Sequence, residues 1–248
     1  MRRTRPSLLV VLTAALPVAL ATGCADTPSS GYGGGDSRPV DDARLVAADA
    51  DESNWLTYGR TYTEQRHSPL TQIDQESVGR LGLAWSAEMN TIRGLEATPL
   101  VVDGRIYVTS AWSILHAFDA VTGEPLWTYD PQVNRAHARY VCCDVVNRGA
   151  AFYDGRVYAG TIDGRLVAVD AETGALAWEV QTTPLGEAYS VTGAARAIDG
   201  KILIGNSGAE FGVRGYVTAY DAETGAQIWR TYTVPGDPSD GQETEWLA

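Results

Sequence analysis

The chain has few of the residues that usually build metal, thiol or phosphate-binding sites. Its 248 residues include three cysteines, three histidines and two methionines, and it has only 19 lysines and arginines against 31 acidic residues. The net charge of −12 argues against nucleic acid as a partner, because the phosphates would be repelled. His67, His116 and His137 do not group into a metal-ligand spacing, so we predict structural or surface positions for all three.

Nucleotide-binding signals are also missing. No Gly-x-Gly-x-x-Gly segment opens a helix, which leaves a nicotinamide site without support. The repeated Asp-Gly and Thr-Gly steps of the chain are typical of tight turns rather than of loops that bind phosphate.

The chain has one long apolar run, residues 8–21, which is too short to span a bilayer comfortably. It follows three arginines and ends in the small residues of "LATGC", a pattern typical of an export signal over residues 1–23. That ending resembles a bacterial lipoprotein cleavage box with Cys24 as the lipidated residue; cleavage without lipidation is the alternative. We therefore expect a periplasmic protein that contacts the membrane only through a lipid anchor, in a compartment that permits disulfides.

Residues 25–52 lack apolar periodicity and are rich in Gly, Ser, Asp and Ala. This composition is typical of flexible linkers. We predict that residues 24–52 form the lipidated cysteine and a flexible tether, and that the folded domain spans residues 53–248.

Three segments of the chain are near copies of one another: "AFDAVTGEPLW", "AVDAETGALAW" and "AYDAETGAQIW". Their aspartates, and likewise their closing tryptophans, recur at a constant interval of about 50 residues, which indicates stacked supersecondary units. The positions are Asp119, Asp170 and Asp221, and Trp127, Trp178 and Trp229.

Each repeat has the local pattern of a small β-sheet. Two apolar runs separated by Asp-Gly predict a hairpin, and the D-A-x-T-G step predicts a second tight turn into a strand that ends in Trp. Four strands of this kind form one blade of an all-β propeller, and the Trp ring suits the seam between blades. Trp85, in "LGLAWSAE", resembles the closing Trp of an earlier, degenerate unit.

Three complete units and one partial unit are too few to close a propeller, whose end blades would leave strand edges exposed. We expect the chain to be the N-terminal part of a longer protein. The alternative is a small domain that closes by forming an oligomer.

Two of the three cysteines, Cys142 and Cys143, are neighbours in the chain. A bond between them would close an eight-membered ring and would remove almost no chain entropy, so stabilisation would not be its purpose. Such a ring suits a rigid, flat platform beside a ligand. The alternative is a pair of reduced or buried cysteines without a function.

A family resemblance is carried by four segments together with the tryptophan repeat. The segments are "NWLTYGRTYTEQRHSPLTQI", "RGLEATPL", "CCDVVNRG" and "GNSGAEFGVRGY". From about Trp55 to its end, the chain resembles the pyrroloquinoline quinone (PQQ)-dependent alcohol dehydrogenases. The resemblance implies an eight-bladed propeller, of which about three blades are present, with PQQ on the central axis and a disulfide between Cys142 and Cys143 under one face of the quinone.

The same resemblance implies the other site residues. Each has a simpler reading: Glu96 as a solvated charge, Arg148 as a partner of Asp144, Thr192 as an ordinary hydroxyl, and the Ser207–Gly208 step as a plain turn. Glu210 is implied as a ligand of a calcium or lanthanide ion, since hard cations prefer oxygen ligands. The implied cofactor contacts are Glu96, Cys142, Cys143, Arg148, Thr192, Ser207, Gly208 and Ala209.

The resemblance further implies oxidation of a small alcohol to an aldehyde, with electrons passed to cytochrome c or to a fused haem domain. The catalytic base, an aspartate, would lie beyond Ala248, so we expect these 248 residues to be inactive alone. Two alternatives are a PQQ-dependent sugar dehydrogenase and a non-enzymatic propeller lipoprotein that serves as a scaffold for outer-membrane protein assembly.

Overall fold

The computed structural model describes residues 38–234 and 236. Within them, twelve strands form three four-stranded antiparallel sheets, each with its strands in sequential order. The first sheet contains β1 (Leu100–Val102), β2 (Arg105–Thr109), β3 (Leu115–Asp119) and β4 (Pro125–Tyr129). The second contains β5 (Ala151–Tyr153), β6 (Arg156–Gly160), β7 (Arg165–Asp170) and β8 (Leu176–Gln181). The third contains β9 (Arg196–Ile198), β10 (Lys201–Gly205), β11 (Tyr216–Asp221) and β12 (Gln227–Tyr232).

Helices are short and few in the described part of the chain. One α-helix, α1, spans Asp42–Val46, and the remaining helical segments are 3₁₀ turns. These turns are Ala48–Ala50, Val78–Arg80, Ala111–Ser113, Arg135–Tyr140 and Ala209–Phe211. None of the described helices has the length and hydropathy needed to cross a bilayer.

The predicted Asp-Gly hairpins are confirmed in all three sheets. Asp103 and Gly104, between β1 and β2, have φ values of 49° and 80°. Positive φ at both central residues is the geometry whose twist matches that of a two-stranded hairpin. Asp154–Gly155 and Asp199–Gly200 repeat it in the next two sheets.

The D-A-x-T-G turn joins the third and fourth strands of each sheet. In the second sheet, Asp170 accepts hydrogen bonds from the backbone N–H of Thr173 (2.8 Å) and from its hydroxyl (2.7 Å). These bonds lower the pKa of the Asp170 carboxyl. Gly174 then takes a φ of 75°, a conformation that L side chains rarely adopt.

A second constraint, which is not visible in the sequence, also requires glycine at this position of the turn. A Cβ added to Gly174 would lie 2.8 Å from the ring of Trp127 of the preceding blade. Gly123 meets Trp85 and Gly225 meets Trp178 in the same way. The glycine therefore makes room for the tryptophan that packs across the seam.

Two of the three repeated tryptophans, Trp127 and Trp178, pack between blades as predicted, whereas Trp229 is exposed. Trp127 Nε1 donates a hydrogen bond to the carbonyl of Ala171 (3.0 Å), which also accepts one from the Tyr107 hydroxyl (3.1 Å). Trp178 and Tyr158 make the equivalent contacts with Ala222. Trp85 donates to the carbonyl of Ala120 at 3.2 Å, which is the contact expected of a closing Trp.

Gly174→Ala is expected to destabilise the protein by about 3 kcal/mol. Forcing a side chain into the left-handed region costs about 1–2 kcal/mol, and overpacking against Trp127 adds at least about 1 kcal/mol. Gly155→Ala is the matched control, because Gly155 has a φ of 73° and a Cβ added there would have no other atom within 4 Å. Denaturant unfolding of both variants measures the difference; equal losses would show that contact with Trp127 does not constrain this position.

The flexible tether predicted for residues 24–52 is wrong over its described part, residues 38–52. Leu45 is buried, and the guanidinium of Arg44 in α1 bonds to Asp103 Oδ2 at 2.9 Å. The carbonyl of Val40 accepts from the N–H of Asp154 at 2.9 Å. A single turn of α-helix carries too little apolar periodicity to be read from the sequence, yet it packs against the hairpins of two blades.

Two of the three histidines have structural contacts. His116 in β3 is buried, with Nε2 2.9 Å from the Ser110 hydroxyl, and burial lowers its pKa. His137 Nε2 lies 2.8 Å from the carbonyl of Tyr189, and His67 is exposed. These positions agree with the structural or surface roles predicted for them.

Candidate functional site

The residues predicted to hold a cofactor lie at one end of the three sheets. Glu96 precedes β1, Arg148 precedes β5 and Thr192 precedes β9, so each comes from the segment that leads into the first strand of its sheet. The stretch from Ser207 to Glu210 follows β10 at the same end. Three blades therefore contribute to one site, although its residues are far apart in sequence.

Backbone hydrogen bonds connect these three segments directly. The N–H of Arg148 donates to the carbonyl of Thr192 (3.0 Å), and the carbonyl of Arg148 accepts from the N–H of Thr98 (3.1 Å). The backbone at Arg148 is thereby held from the blades on either side.

A cavity of about 270 Å³ lies between these segments. Eight of the nine predicted cofactor and metal contacts line it; Glu96 is the exception and reaches the site through Arg148. The predicted residues that line the cavity are Cys142, Cys143, Arg148, Thr192, Ser207, Gly208, Ala209 and Glu210.

Cys142 and Cys143 form a disulfide, with their Cα atoms 3.8 Å apart. The pair is exposed at the edge of the cavity. Val145 and Val146, which follow it, are each 2% exposed and anchor the segment in the protein interior. The two sulfurs therefore form a polarizable surface on a fixed support.

A row of polar groups begins at Glu96 and runs along the cavity. The Glu96 carboxylate lies 3.0 Å from Arg148 Nη2, and Arg148 Nη1 donates to the Thr192 hydroxyl at 2.8 Å. The Thr192 hydroxyl lies 3.0 Å from that of Ser207. Arg148 has five N–H donors in a planar fork and is only partly buried, so donors remain for an anionic ligand.

The simpler pairing of Arg148 with Asp144 does not occur. Asp144 instead bonds to Arg93 at 2.8 Å. Arg93 and Glu96 belong to the same segment, so the two ion pairs hold this segment against the stretch that follows the disulfide.

Glu210 lies in the 3₁₀ turn Ala209–Phe211, between Gly208 (φ 116°) and Gly212 (φ 80°). A Cβ at Gly208 would clash with the carbonyl oxygen of Ala188, so glycine is required there. Across residues 38–234 and 236, no cluster of three or more His, Cys, Asp or Glu side chains could hold a metal. Glu210 lines the cavity and offers a carboxylate, the type of ligand that hard cations prefer.

Several residues around the cavity were not singled out from the sequence. Asn206 accepts a hydrogen bond from the N–H of Tyr216 (2.8 Å), which fixes the exit of β10. Ser190 and Ser207 exchange backbone hydrogen bonds of 3.2 and 2.7 Å. Asn206 could have been identified from the sequence, because it directly precedes the S-G-A-E segment. No motif in the sequence points to Ser190.

These residues fit PQQ, which is planar and carries carboxylates and quinone oxygens. The disulfide offers a flat surface for the ring system, and Arg148 offers a planar fork that suits carboxylates. Thr192 and Ser207 add hydroxyl groups, and Glu210 adds a ligand for a hard cation. The cavity thus has a support for a planar molecule, cationic donors and a metal ligand.

Comparison with known proteins agrees with this geometry. Residues 55–248 match the sequence model of the family described as "PQQ: Glucose/ethanol/alcohol dehydrogenase, beta-propeller domain". The chain is 58% identical over 200 residues to quinohemoprotein alcohol dehydrogenase ADH-IIG of Pseudomonas putida, a match that covers 80% of this chain and 28% of that protein.

Solved structures give the same result. The quinohemoprotein alcohol dehydrogenase of Comamonas testosteroni superposes with a TM-score of 0.78 at 51% identity, over 81% of this chain and 30% of that one. A europium-containing methanol dehydrogenase superposes with a TM-score of 0.75 at 37% identity, over 79% and 34%. The chain spans about a third of the length of these relatives. With its three tryptophan-docked blades and the matched residues 55–248, the chain belongs to the family of PQQ-dependent alcohol dehydrogenases with a β-propeller domain.

Proposed function

We propose that the protein oxidises an alcohol to an aldehyde in a reaction that requires PQQ and a metal ion. The observation that carries this proposal is the convergence of the Cys142–Cys143 disulfide, the Arg148–Thr192–Ser207 row and Glu210 on one cavity. A scaffold protein has no use for this combination. Bound PQQ would supply the acceptor for two electrons, and the chain would supply binding and orientation.

Each side chain has a distinct task in this proposal. The disulfide supports one face of the planar ring and excludes water from it. Arg148 binds the anionic oxygens of the cofactor, and Glu96 keeps the guanidinium in its orientation through the 3.0 Å ion pair. Thr192 and Ser207 complete the polar side of the cavity with hydroxyl groups.

Glu210 would hold the metal, which is calcium or a lanthanide. A carboxylate is a preferred ligand for such hard cations. The related methanol dehydrogenase that contains europium supports the lanthanide option. By the family resemblance, a second ligand (Asn), a Trp over the other face of the ring and the aspartate base come from residues beyond Ala248.

The proposed electron acceptor is cytochrome c or a fused haem domain. Relatives support both: several are named quinohemoprotein alcohol dehydrogenases, and one is named 1-butanol dehydrogenase (cytochrome c). A sugar dehydrogenase is the second candidate, because the description of the matched family includes glucose.

Reconstitution of the full-length protein tests the reaction. The apoprotein loaded with PQQ and Ca²⁺ is expected to reduce a dye with short primary alcohols and to retain PQQ absorbance through gel filtration. Glucose in place of the alcohol distinguishes the second candidate. Failure to turn over any alcohol, together with loss of PQQ on the column, would contradict the proposal.

Export and lipid anchoring are part of the proposal, although residues 1–23 and Cys24 lie outside the described residues. The wild-type protein is expected in the membrane fraction, and Cys24→Ser in the soluble periplasmic fraction. The wild-type mature N-terminus should start at a diacylglyceryl-cysteine by mass spectrometry. A wild-type protein that is released without detergent would rule out the anchor, and one that keeps residues 1–23 would rule out the signal.

A further inference from the structure

Asn147 lies within "CCDVVNRG", between the disulfide and Arg148, and none of the roles assigned above uses it. Its side chain is buried, with 1% of its surface exposed, and it does not line the cofactor cavity. A buried amide has to satisfy both its oxygen and its nitrogen, so its partners indicate its role.

The amide makes three hydrogen bonds to three different segments. Oδ1 accepts from the Thr109 hydroxyl (2.9 Å) and from the N–H of Gly149 (3.0 Å), and Nδ2 donates to the carbonyl of Gly160 (2.7 Å). The N–H of Gly149 requires an acceptor and the carbonyl of Gly160 requires a donor, which fixes the orientation of the amide. No other uncharged side chain of this size offers both groups.

The partners of Asn147 are at the ends of strands. Thr109 is the last residue of β2 and Gly160 the last residue of β6, so the amide joins the first and second blades. Its third bond reaches Gly149, which has a φ of 138° and whose built Cβ would lie 3.2 Å from the carbonyl of Thr98. The side chain therefore holds the backbone immediately after Arg148 in a conformation that glycine alone adopts readily.

We propose that Asn147 is a positioning residue for Arg148, an inference that rests on the proposed binding of PQQ. Arg148 sits between Asn147 and Gly149, which the amide holds together, while its own backbone groups bond to Thr98 and Thr192. Because the Cα of Arg148 is held in place, the bonds of the guanidinium to Glu96 and Thr192 are sufficient to direct it toward the cavity. Holding the backbone in this way reduces the entropy that is lost when the cofactor binds.

The alternative is that Asn147 merely joins two blades. Asn54 provides a matched control for that role, because it is also buried (6% exposed) and also joins two segments. Its Oδ1 accepts from the N–H of Asp103 (2.7 Å), and its Nδ2 donates to Asp51 Oδ2 (2.9 Å). The cavity lies at the end of the blade where Thr98 precedes β1. Asp103, the partner of Asn54, follows β1, so Asn54 lies at the opposite end of the blade, remote from the cavity.

The test uses the full-length apoprotein and two measurements: the Kd for PQQ by titration and the Tm without PQQ. Asn147→Ala is expected to raise the Kd about 10-fold or more, the range seen when a residue that orients a ligand-binding group is removed. Asn54→Ala is expected to lower the Tm by about as much as Asn147→Ala does, and to leave the Kd within about 2-fold of the wild-type value. An Asn147→Ala Kd that changes no more than that of Asn54→Ala overturns the inference.

A double substitution tests whether Asn147 acts through Arg148. With Arg148→Ala already present, Asn147→Ala should add less than about 2-fold to the Kd, because the group it positions is gone. An unchanged full effect in that background overturns the inference. Thr109→Val removes one of the three bonds and is expected to raise the Kd by about 3-fold, so it serves the same test if Asn147→Ala does not fold. Wild-type protein that binds no PQQ would overturn the proposed function itself.

Discussion

Arg148→Ala in the full-length protein is expected to weaken PQQ binding by about 100-fold. The substitution removes charge-assisted hydrogen bonds to an anionic ligand and leaves the nearby Glu96 carboxylate without its partner. Together these effects amount to about 3 kcal/mol, and each 1.4 kcal/mol is roughly tenfold in Kd. Equilibrium titration of the apoprotein with PQQ measures the change.

Three further variants separate the causes. Arg148→Lys should lose about tenfold, since a single ammonium does not reproduce the planar fork that contacts both Glu96 and Thr192. Glu96→Gln in the Arg148→Ala background should recover part of the loss by removing the unpaired charge. Arg156→Ala removes the same charge at the opposite end of the blade, where Arg156 bonds to the carbonyl of Glu223. A loss of PQQ affinity in Arg156→Ala equal to that in Arg148→Ala would show that net charge alone sets binding.

The sequence predicted the blades because their information is local and repeated. Asp-Gly hairpins, the D-A-x-T-G turn and the closing Trp each act within a few residues, so their recurrence indicates the sheets before any long-range contact is known. The sequence around Trp85 predicts the same seam contact although its unit is degenerate, and the bond to the carbonyl of Ala120 confirms that contact.

Features that depend on contacts between distant segments were not predictable in the same way. The sequence explains Gly174 by turn geometry alone, because its contact with Trp127 exists only once two blades meet. Arg44 and Leu45 lie in a stretch with the composition of a linker, and their burial depends on the hairpins that receive them. The Arg93–Asp144 pair likewise joins two loops from different blades, and nothing local to either residue indicates it.

The site itself is predicted through the family resemblance that the motifs carry rather than through geometry. Cys142 and Arg148 belong to one repeat and Thr192 and Glu210 to the next, and periodicity does not say which end of each blade they occupy. The structure supplies that information: segments that enter the first strand of a sheet and those that leave its second strand meet at the same end. The sequence does not single out Asn147, because two of its three hydrogen-bond partners, Thr109 and Gly160, become its neighbours only in the folded propeller.

The second large effect is expected for Glu210. Glu210→Gln in the full-length protein should raise the Ca²⁺ concentration needed for half-maximal reconstitution by about 100-fold, because ligand charge sets the affinity of such sites. Glycines on both sides fix the turn that carries it, and Phe211 packs edge-on against Tyr140 with ring centroids 6.3 Å apart. The substituted side chain should therefore stay in place and lose only its charge. Dye-linked activity at increasing Ca²⁺ concentration gives the measurement.

Glu223→Gln is the matched control for Glu210→Gln, since it makes the same change in an exposed turn of the third blade, away from the cavity. The Ca²⁺ requirement of Glu223→Gln should equal that of the wild type. If Glu210→Gln also needed no more Ca²⁺ than the wild type, Glu210 would not be a ligand of the metal.

The two large effects can also be told apart. Excess Ca²⁺ should restore turnover to Glu210→Gln but not to Arg148→Ala, because added metal compensates for a weakened ligand and does not replace a cationic hydrogen-bond donor. If Ca²⁺ rescued both variants equally, Arg148 would be acting on the metal site and not on the cofactor.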